Sequence, residues 1–171
     1  MEKSLLNNKF MKVEVKELKM TKSVIKQIIE LDKLFYTDFD YHDTSWYYTR
    51  YSNKNKITVL IVNSAIVGYY VLYKISKKLL KDILDLKYSG DYDFPESELN
   101  KSRGATYISS LLVKPEFRKH SIPLLHQLYN DVKKIKEICA IAVSPIGKRL
   151  SKKIMDCVGN IKNSEVYYKN N

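Results

Sequence analysis

Ala105-Thr106-Tyr107-Ile108-Ser109-Ser110-Leu111-Leu112-Val113, followed by Lys114-Pro115-Glu116-Phe117-Arg118-Lys119-His120-Ser121-Ile122-Pro123-Leu124-Leu125, is the stretch on which the reading of this chain turns. Its first part is rich in apolar, β-branched and aromatic residues, which suits a strand. Lys114-Pro115 closes that strand, because proline offers no N–H to a ladder and keeps the residue before it out of helical geometry. A helix is expected beyond it, with Ile122, Leu125, Leu128, Tyr129, Val132 and Ile135 as its buried stripe. Ser121 stands where an N-cap belongs, and Lys133, Lys134 and Lys136 gather where cations suit the helix dipole.

Working toward the amino terminus, Ile57–Val62 and Ile66–Tyr73 are two strand-like runs separated by Asn63-Ser64, which reads as a hairpin. Residues 77–104 form an insertion between the third and fourth strands. Its start, Lys77 to Asp85, suits a turn or two of helix. Its remainder carries Gly90, Pro95 and the acids Asp91, Asp93, Glu96 and Glu98, and is long enough to serve as a lid. Met11, Val13 and Val15 alternate with charged residues as the first strand, and Thr21 caps a helix that buries Val24, Ile28, Leu31 and Phe35. Toward the carboxyl terminus, Ile138–Val143 suits a strand covered on both faces. A helix from about Pro145 is expected to carry Leu150, Ile154 and Val158 inward, and Val166-Tyr167-Tyr168 to form a last strand. The sum is an α/β fold: a mixed central β-sheet flanked by helices, one domain over residues 1–171, with no internal repeat.

A chain of 171 residues can bury about 70% of its unfolded surface without metal or disulfide. No apolar run reaches the roughly 20 residues of a membrane span. The first residues lack the apolar stretch and cleavage site of a signal peptide, so a cytoplasmic protein is expected. Cys139 and Cys157 share no metal-ligand spacing, so no metal site is expected and both thiols are read as reduced and buried. The net charge of +11 attracts polyanions: nucleic acid, an anionic membrane or a phosphorylated ligand. The excess is lysine, with only Arg50, Arg103, Arg118 and Arg149 to make bidentate contacts, which disfavours base readout. A lysine-coated solvated surface is the plainer account. Tyr36, Tyr41, Trp46, Tyr47, Tyr48 and Tyr51 lie in an aromatic segment interleaved with Asp38, Asp40, His42, Asp43 and Arg50. They suit the wall of a substrate site, or equally the packing of a short helix on the sheet.

Three local patterns carry a resemblance: Ile66-Val67-Gly68-Tyr69; Ile108-x-x-Leu111-x-Val113-x-Pro115-Glu116-Phe117-Arg118; and Val143-Ser144-Pro145-x-Gly147-x-x-Leu150. With the element order, they make residues from about Met11 to Tyr168 similar to a divergent member of the GNAT N-acetyltransferase superfamily. The resemblance implies a GNAT-like mixed sheet and acetyl-CoA or another acyl-CoA as co-substrate, with no metal. It assigns cofactor contacts to Leu111, Leu112 and Val113, to Arg118, Lys119, His120, Ser121, Ile122 and Pro123, and to Ser144. The physical reason is that the first turn of a helix has unpaired N–H groups and the positive end of the dipole, where a diphosphate fits. The family's small positions in Arg/Gln-x-x-Gly-x-Gly/Ala are Ser121 and Pro123 here. Pro123 removes one donor.

The reaction implied is direct attack of a primary amine on the thioester, transferring an acetyl group. The family's strand glutamate, a general base, is matched by Ser109, and its helix tyrosine approximately by Ser151. Candidate catalytic groups are therefore Ser109, Tyr107 and Tyr168, with Tyr167 as a further acid and Asp91, Asp93, Glu96 and Glu98 as further bases. His120 is the histidine beside the phosphate passage. The acceptor is expected to be a small-molecule or protein amine, lined by Tyr36, Tyr41, Trp46 and Tyr47. Two alternatives stand beside this: a degenerate GNAT-like domain serving as a binding or regulatory module, and an RNA-directed member acting on aminoacyl-tRNA. Nucleic acid is the less favoured partner, no membrane partner is expected, and the oligomeric state is open.

Overall fold

Asn63 and Ser64 take φ of 49° and 70°. Two consecutive positive φ values make the two-residue turn whose twist matches the flanking strands. The turn joins β2 (Lys56–Val62) to β3 (Ala65–Ile75). Asn63 also pins β1 (Val13–Leu18): its N–H donates to the Lys12 carbonyl at 3.0 Å, and its side-chain oxygen accepts the Lys12 N–H at 3.2 Å. The computed structural model describes residues 11–36, 44–51 and 56–170, apart from the side chains of Ser45, Trp46 and Lys56.

Among the described residues, β4 (Ala105–Val113), β5 (Glu137–Ala142), β6 (Asp156–Ile161) and β7 (Ser164–Asn170) complete one sheet in the order β1-β2-β3-β4-β5-β7-β6. Only β4 and β5 run parallel; the other pairs are antiparallel. The strand β6 was not expected from the sequence. Its Asp156, Gly159 and Asn160 are poor strand formers, and pairing with β7 overrides that preference. Val158, expected to face inward from a helix, is instead exposed on β6, and Cys157, expected to be buried, is exposed there too.

One face of the sheet carries α1 (Lys22–Asp32), α2 (Thr44–Tyr51) and α3 (Lys77–Leu84); the other carries α4 (Ile122–Lys133). The short helix α5 (Pro145–Ser151) follows β5. Thr21 caps α1 by accepting the Val24 N–H at 3.3 Å, and Ser76 caps α3 by accepting the Leu79 N–H at 3.0 Å. Helix α4 buries Leu124, Leu128 and Val132, so the expected stripe is rotated. Ile122 and Tyr129 face solvent at 72% and 51% exposure. The reason lies upstream: Pro115–His120 form a 3-10 helix, and this extra turn sets the phase at which α4 begins. Burying Leu124, Leu128 and Val132 contributes roughly 1.5–3 kcal/mol each, which outweighs exposing Ile122.

The insertion does not hang free as a lid. Phe94 and Leu99 are buried with the α1/α2/α3 core, and Phe94 packs edge-on against Tyr88 and Tyr107 at 5.0 and 5.1 Å. Leu99 makes a β-bridge to Ile75. Buried aromatic and aliphatic anchors tie residues 85–104 down as part of the core. No helix among the described residues is long and apolar enough to cross a membrane.

Candidate active site

Strands β4 and β5 pair only from Thr106↔Ile138 to Ile108↔Ala140. Beyond that the two parallel strands part, and Ser110–Val113 keep only their β3 neighbours. In a strand, alternate backbone N–H and C=O groups point to opposite sides, so those on the β5 side of this segment face a slot. At the same place the ladder with β3 is interrupted: Val71 pairs with Ser110 and Leu72 with Ile108, which leaves Ser109 as the extra residue of a bulge. Gly68, opposite Val113, lets β3 approach closely. A Cβ there would lie 2.8 Å from the Leu112 carbonyl oxygen.

A buried polar set meets the bulge from the α1/α2 side. The Ser109 hydroxyl donates to Asp91 Oδ2 at 2.6 Å, Tyr73 donates to the same oxygen at 3.1 Å, and Tyr51 Oη lies 3.1 Å from Ser109 Oγ. Arg50, 4% exposed, holds the segment that carries Asp91. Its guanidinium donates to the carbonyl oxygens of Asp91 (3.0 Å), Tyr92 (2.9 Å) and Phe94 (3.0 Å). Burial raises the Asp91 carboxyl above its ordinary pKa, opposed by the Ser109 hydrogen bond, the Arg50 charge and the Tyr73 hydrogen bond. Asp32, at the end of α1, accepts from Tyr47 at 2.9 Å and from Tyr69, and burial pushes its pKa up to about 6. Burial followed by the Asp91 and Asp32 charges raises Tyr51, so its phenol stays protonated.

The other end of the slot is more open. Leu111, Leu112 and Val113 are half-buried, Arg118 and Lys119 are exposed, and His120 is half-buried with its Nε2 enclosed. Neither Arg118 nor Lys119 is ion-paired among the described residues. Contrary to expectation, Ser121 does not cap α4 with its side chain; its hydroxyl donates back to the Arg118 carbonyl at 2.7 Å, and its N–H bonds the same oxygen. The first intrahelical bond of α4 runs from Leu125 to the Ser121 carbonyl, and Pro123 has no N–H. The Ile122 and Leu124 amides are therefore the first-turn donors free for an anion. Ser144 caps α5 by accepting the Gly147 N–H at 3.0 Å. Val143, expected to be buried, is exposed, as are Ile122 and Ile146, so the carboxyl end of the two parallel strands has an apolar rim.

No protein-family model and no curated protein sequence matches this chain; the likeness is one of structure. The loading GNATL domain of CurA from Lyngbya majuscula superposes with a TM-score of 0.56 at 16% identity over 77% of this chain, which spans 65% of the length of that domain. Arabidopsis thaliana NAA60 in complex with acetyl-CoA gives 0.62 at 14% identity, covering 93% of this chain and 99% of that one. FeeM, an N-acyl amino acid synthase from uncultured soil microbes, gives 0.64 at 8% identity, covering 94% and 91%. The chain has the GNAT fold.

Within that GNAT fold the candidate residues divide into groups. Ser109 lies at the bulge, and Leu111, Leu112, Val113, Arg118 to Pro123 and Ser144 follow the carboxyl ends of the two splayed strands. Tyr107 is on β4 but sealed in the core, its pKa raised well above the ordinary value by burial and the Asp91 charge. Tyr168 is paired with Cys139, before the strands part, and donates to Glu137 at 2.9 Å, so it is not brought to Ser109. Tyr47 is buried against Asp32, and Tyr36 is half-buried just after α1. Tyr41 and the side chain of Trp46 lie outside the described residues. Among the described residues, no set of three or more His, Cys, Asp or Glu side chains gathers as a metal site. The roles of Arg50, Tyr51 and Asp32 were not expected. The available signal was an arginine inside an aromatic segment facing an insertion rich in acids.

Proposed function

We propose that this chain is an N-acyltransferase of the cytoplasm that uses acetyl-CoA or another acyl-CoA to acylate a primary amine by direct attack. The observation that carries the reading is the parting of β4 and β5 beyond Ile108 and Ala140, with the bulge at Ser109 inside it. The structural likeness to NAA60 bound to acetyl-CoA and to the N-acyl amino acid synthase FeeM supports the same class of chemistry.

The residues present fit an acyl-CoA in part. Backbone groups of Ser109–Val113 on the β5 side are free to pair with an amide-bearing arm, and the exposed apolar rim of Ile122, Val143 and Ile146 suits its alkyl portions. The amides of Ile122 and Leu124, with Arg118 and Lys119, would hold the diphosphate. Acyl-CoA, when bound, supplies the activated thioester carbonyl. Backbone N–H groups at the strand break would stabilise charge on that carbonyl oxygen, and positioning of the amine would supply much of the rest. Titration with acetyl-CoA, followed by thermal unfolding, tests the reading: a rise in Tm that saturates is expected, and no rise at millimolar concentration overturns it.

A second reading, a GNAT-like domain that binds without catalysis, is favoured by one observation. The passage from Arg118 to Pro123 offers two helix amides where a glycine-rich turn would offer more, and Ser121 spends its hydroxyl proton on the Arg118 carbonyl. Binding of acetyl-CoA without thiol release in the presence of primary amines is the outcome expected of such a module.

A further inference from the structure

Asp91 lies outside every strand and helix of the scaffold, yet its carboxylate reaches the bulge in β4. The Ser109 hydroxyl has a single proton and gives it to Asp91, so in the contact with Tyr51 the phenol is the donor. Among the described residues no further donor reaches Ser109 Oγ, so one lone pair is left to accept a hydrogen bond. We infer that Asp91 is the proton acceptor of the acyl-transfer site, acting through Ser109 Oγ on the acceptor amine; this rests on the function proposed above.

The other candidate acids do not reach the bulge. Asp93 and Glu96 are exposed, Glu98 pairs with Lys78 at 3.5 Å, and Asp32 accepts from Tyr47 and Tyr69. Asp91 alone among them is hydrogen-bonded to the bulge residue. Its backbone is fixed by Arg50, so the carboxylate is held in place before any substrate arrives. Groups facing it are Arg50 and Tyr51 from α2, Tyr73 from β3, Ser109 and Tyr107 from β4, and the Asp32 charge from the end of α1. Burial raises its proton affinity more than these hydrogen bonds and the Arg50 charge lower it, which makes it a better base than a surface carboxylate.

The step balances without a further reactant. A primary ammonium gives one proton to Ser109 Oγ while Ser109 passes its own proton to Asp91, leaving a neutral amine and a carboxylic acid. The amine lone pair forms the C–N bond to the thioester carbonyl, the C–S bond breaks, and the departing sulfur takes a second proton from the nitrogen. Asp91 then returns its proton to solvent by the same hydroxyl.

The test uses full-length protein, acetyl-CoA, and phenylethylamine, spermidine or a peptide with a free amino terminus as acceptor, with thiol release as the signal. For Asp91→Asn, kcat should fall at least about 100-fold at neutral pH, and acetyl-CoA binding measured by calorimetry should be unchanged. The defect should shrink as pH rises toward the amine pKa, where no deprotonation is needed; a merely structural loss would be the same at each pH. Ser109→Ala should show the same pH-dependent defect, with no additional loss in the double variant. Without co-substrate, 13C NMR of aspartate-labelled protein should show a carboxyl that titrates above the usual range, disappears in Asp91→Asn and moves in Ser109→Ala. If Asp91→Asn does not fold, Ser109→Ala decides. Wild-type activity in either variant, a defect independent of pH, or a carboxyl in the ordinary range overturns the inference. Wild-type protein that binds acetyl-CoA but acetylates none of the three amines also overturns it and leaves the binding reading standing; wild-type protein that does not bind acetyl-CoA overturns the proposed function itself.

Discussion

Around Ser109, the side chains of Asp91, Tyr51, Tyr73 and Arg50 exchange hydrogen bonds inside the protein, while around Ser121 the charged side chains of Arg118 and Lys119 extend into solvent. The first region is assembled from α2, β3, β4 and the insertion, so its geometry depends on tertiary packing. The second is a local turn between β4 and α4, so any affinity for the proposed diphosphate would depend on two amides and on screened charge. Substitutions in the first region should therefore change stability, and those in the second should change binding and its salt dependence.

The largest expected effect comes from Arg50→Met. It removes donors to three carbonyl oxygens in a buried setting, and should cost about 3 kcal/mol or more. For a chain of this length that corresponds to a Tm lower by roughly 10 °C. An unchanged Tm would break the distinction between the two regions.

Asp32 gives the next effect, through pH. Its folded pKa of about 6 stands above the ordinary aspartate value, so the native state holds this proton more tightly than the unfolded chain. The stability it contributes is complete below about pH 4 and is lost as pH rises through 6, amounting to about 3 kcal/mol. Glu14 and Glu165, whose pKa values are lowered chiefly by hydrogen bonds from Lys12 and Tyr167 respectively, act in the opposite direction, so the difference between wild type and Asp32→Asn is the quantity to read. Urea unfolding at stepped pH should show the difference growing from pH 4 to 6.5 and flat above 7.

At the Ser121 end the changes are smaller. Arg118→Ala should weaken coenzyme A binding several-fold, reduce its salt dependence and leave Tm within about 2 °C, since the side chain is exposed and has no ion pair among the described residues. Pro123→Ala returns one N–H to the first turn and should tighten binding by a few-fold, measured by calorimetry at fixed ionic strength. Equal effects of both on Tm and on affinity would blur the comparison.

Local features were legible in the sequence. Asn63-Ser64 marked the hairpin, Thr21 the start of α1, and Lys114-Pro115 the end of β4, because each acts through its own backbone or an immediate neighbour. Features set by distant parts of the chain were not legible. The phase of α4 depends on a 3-10 turn that precedes it, and β6 exists because β7 pairs with it. For the site, Ser109 could be placed by its position in the strand, but its partnership with Asp91 spans 18 residues and that of Arg50 with the insertion spans 41 to 44. No periodicity in the sequence encodes such pairs. The seclusion of Tyr107 and the distance of Tyr168 from the bulge likewise follow from packing and register.

Because the carboxylate beside Ser109 arrives on an insertion and not on the sheet, its chemistry can vary separately from the ladder. A glutamate on a strand is bound by the alternation of the pleat: moving it by one residue sends it to the opposite face. Residues 85–104 carry no such alternation; they are held by Tyr88, Phe94 and Leu99 in the core, by the grip of Arg50, and by hydrogen bonds from Ser76 to Glu98, from Asn100 to Lys74 and from Ser164 to Ser89. The insertion is thus an exchangeable cassette. Replacing it while keeping those anchors changes which functional group stands behind Ser109 and leaves the register of β3 and β4 untouched.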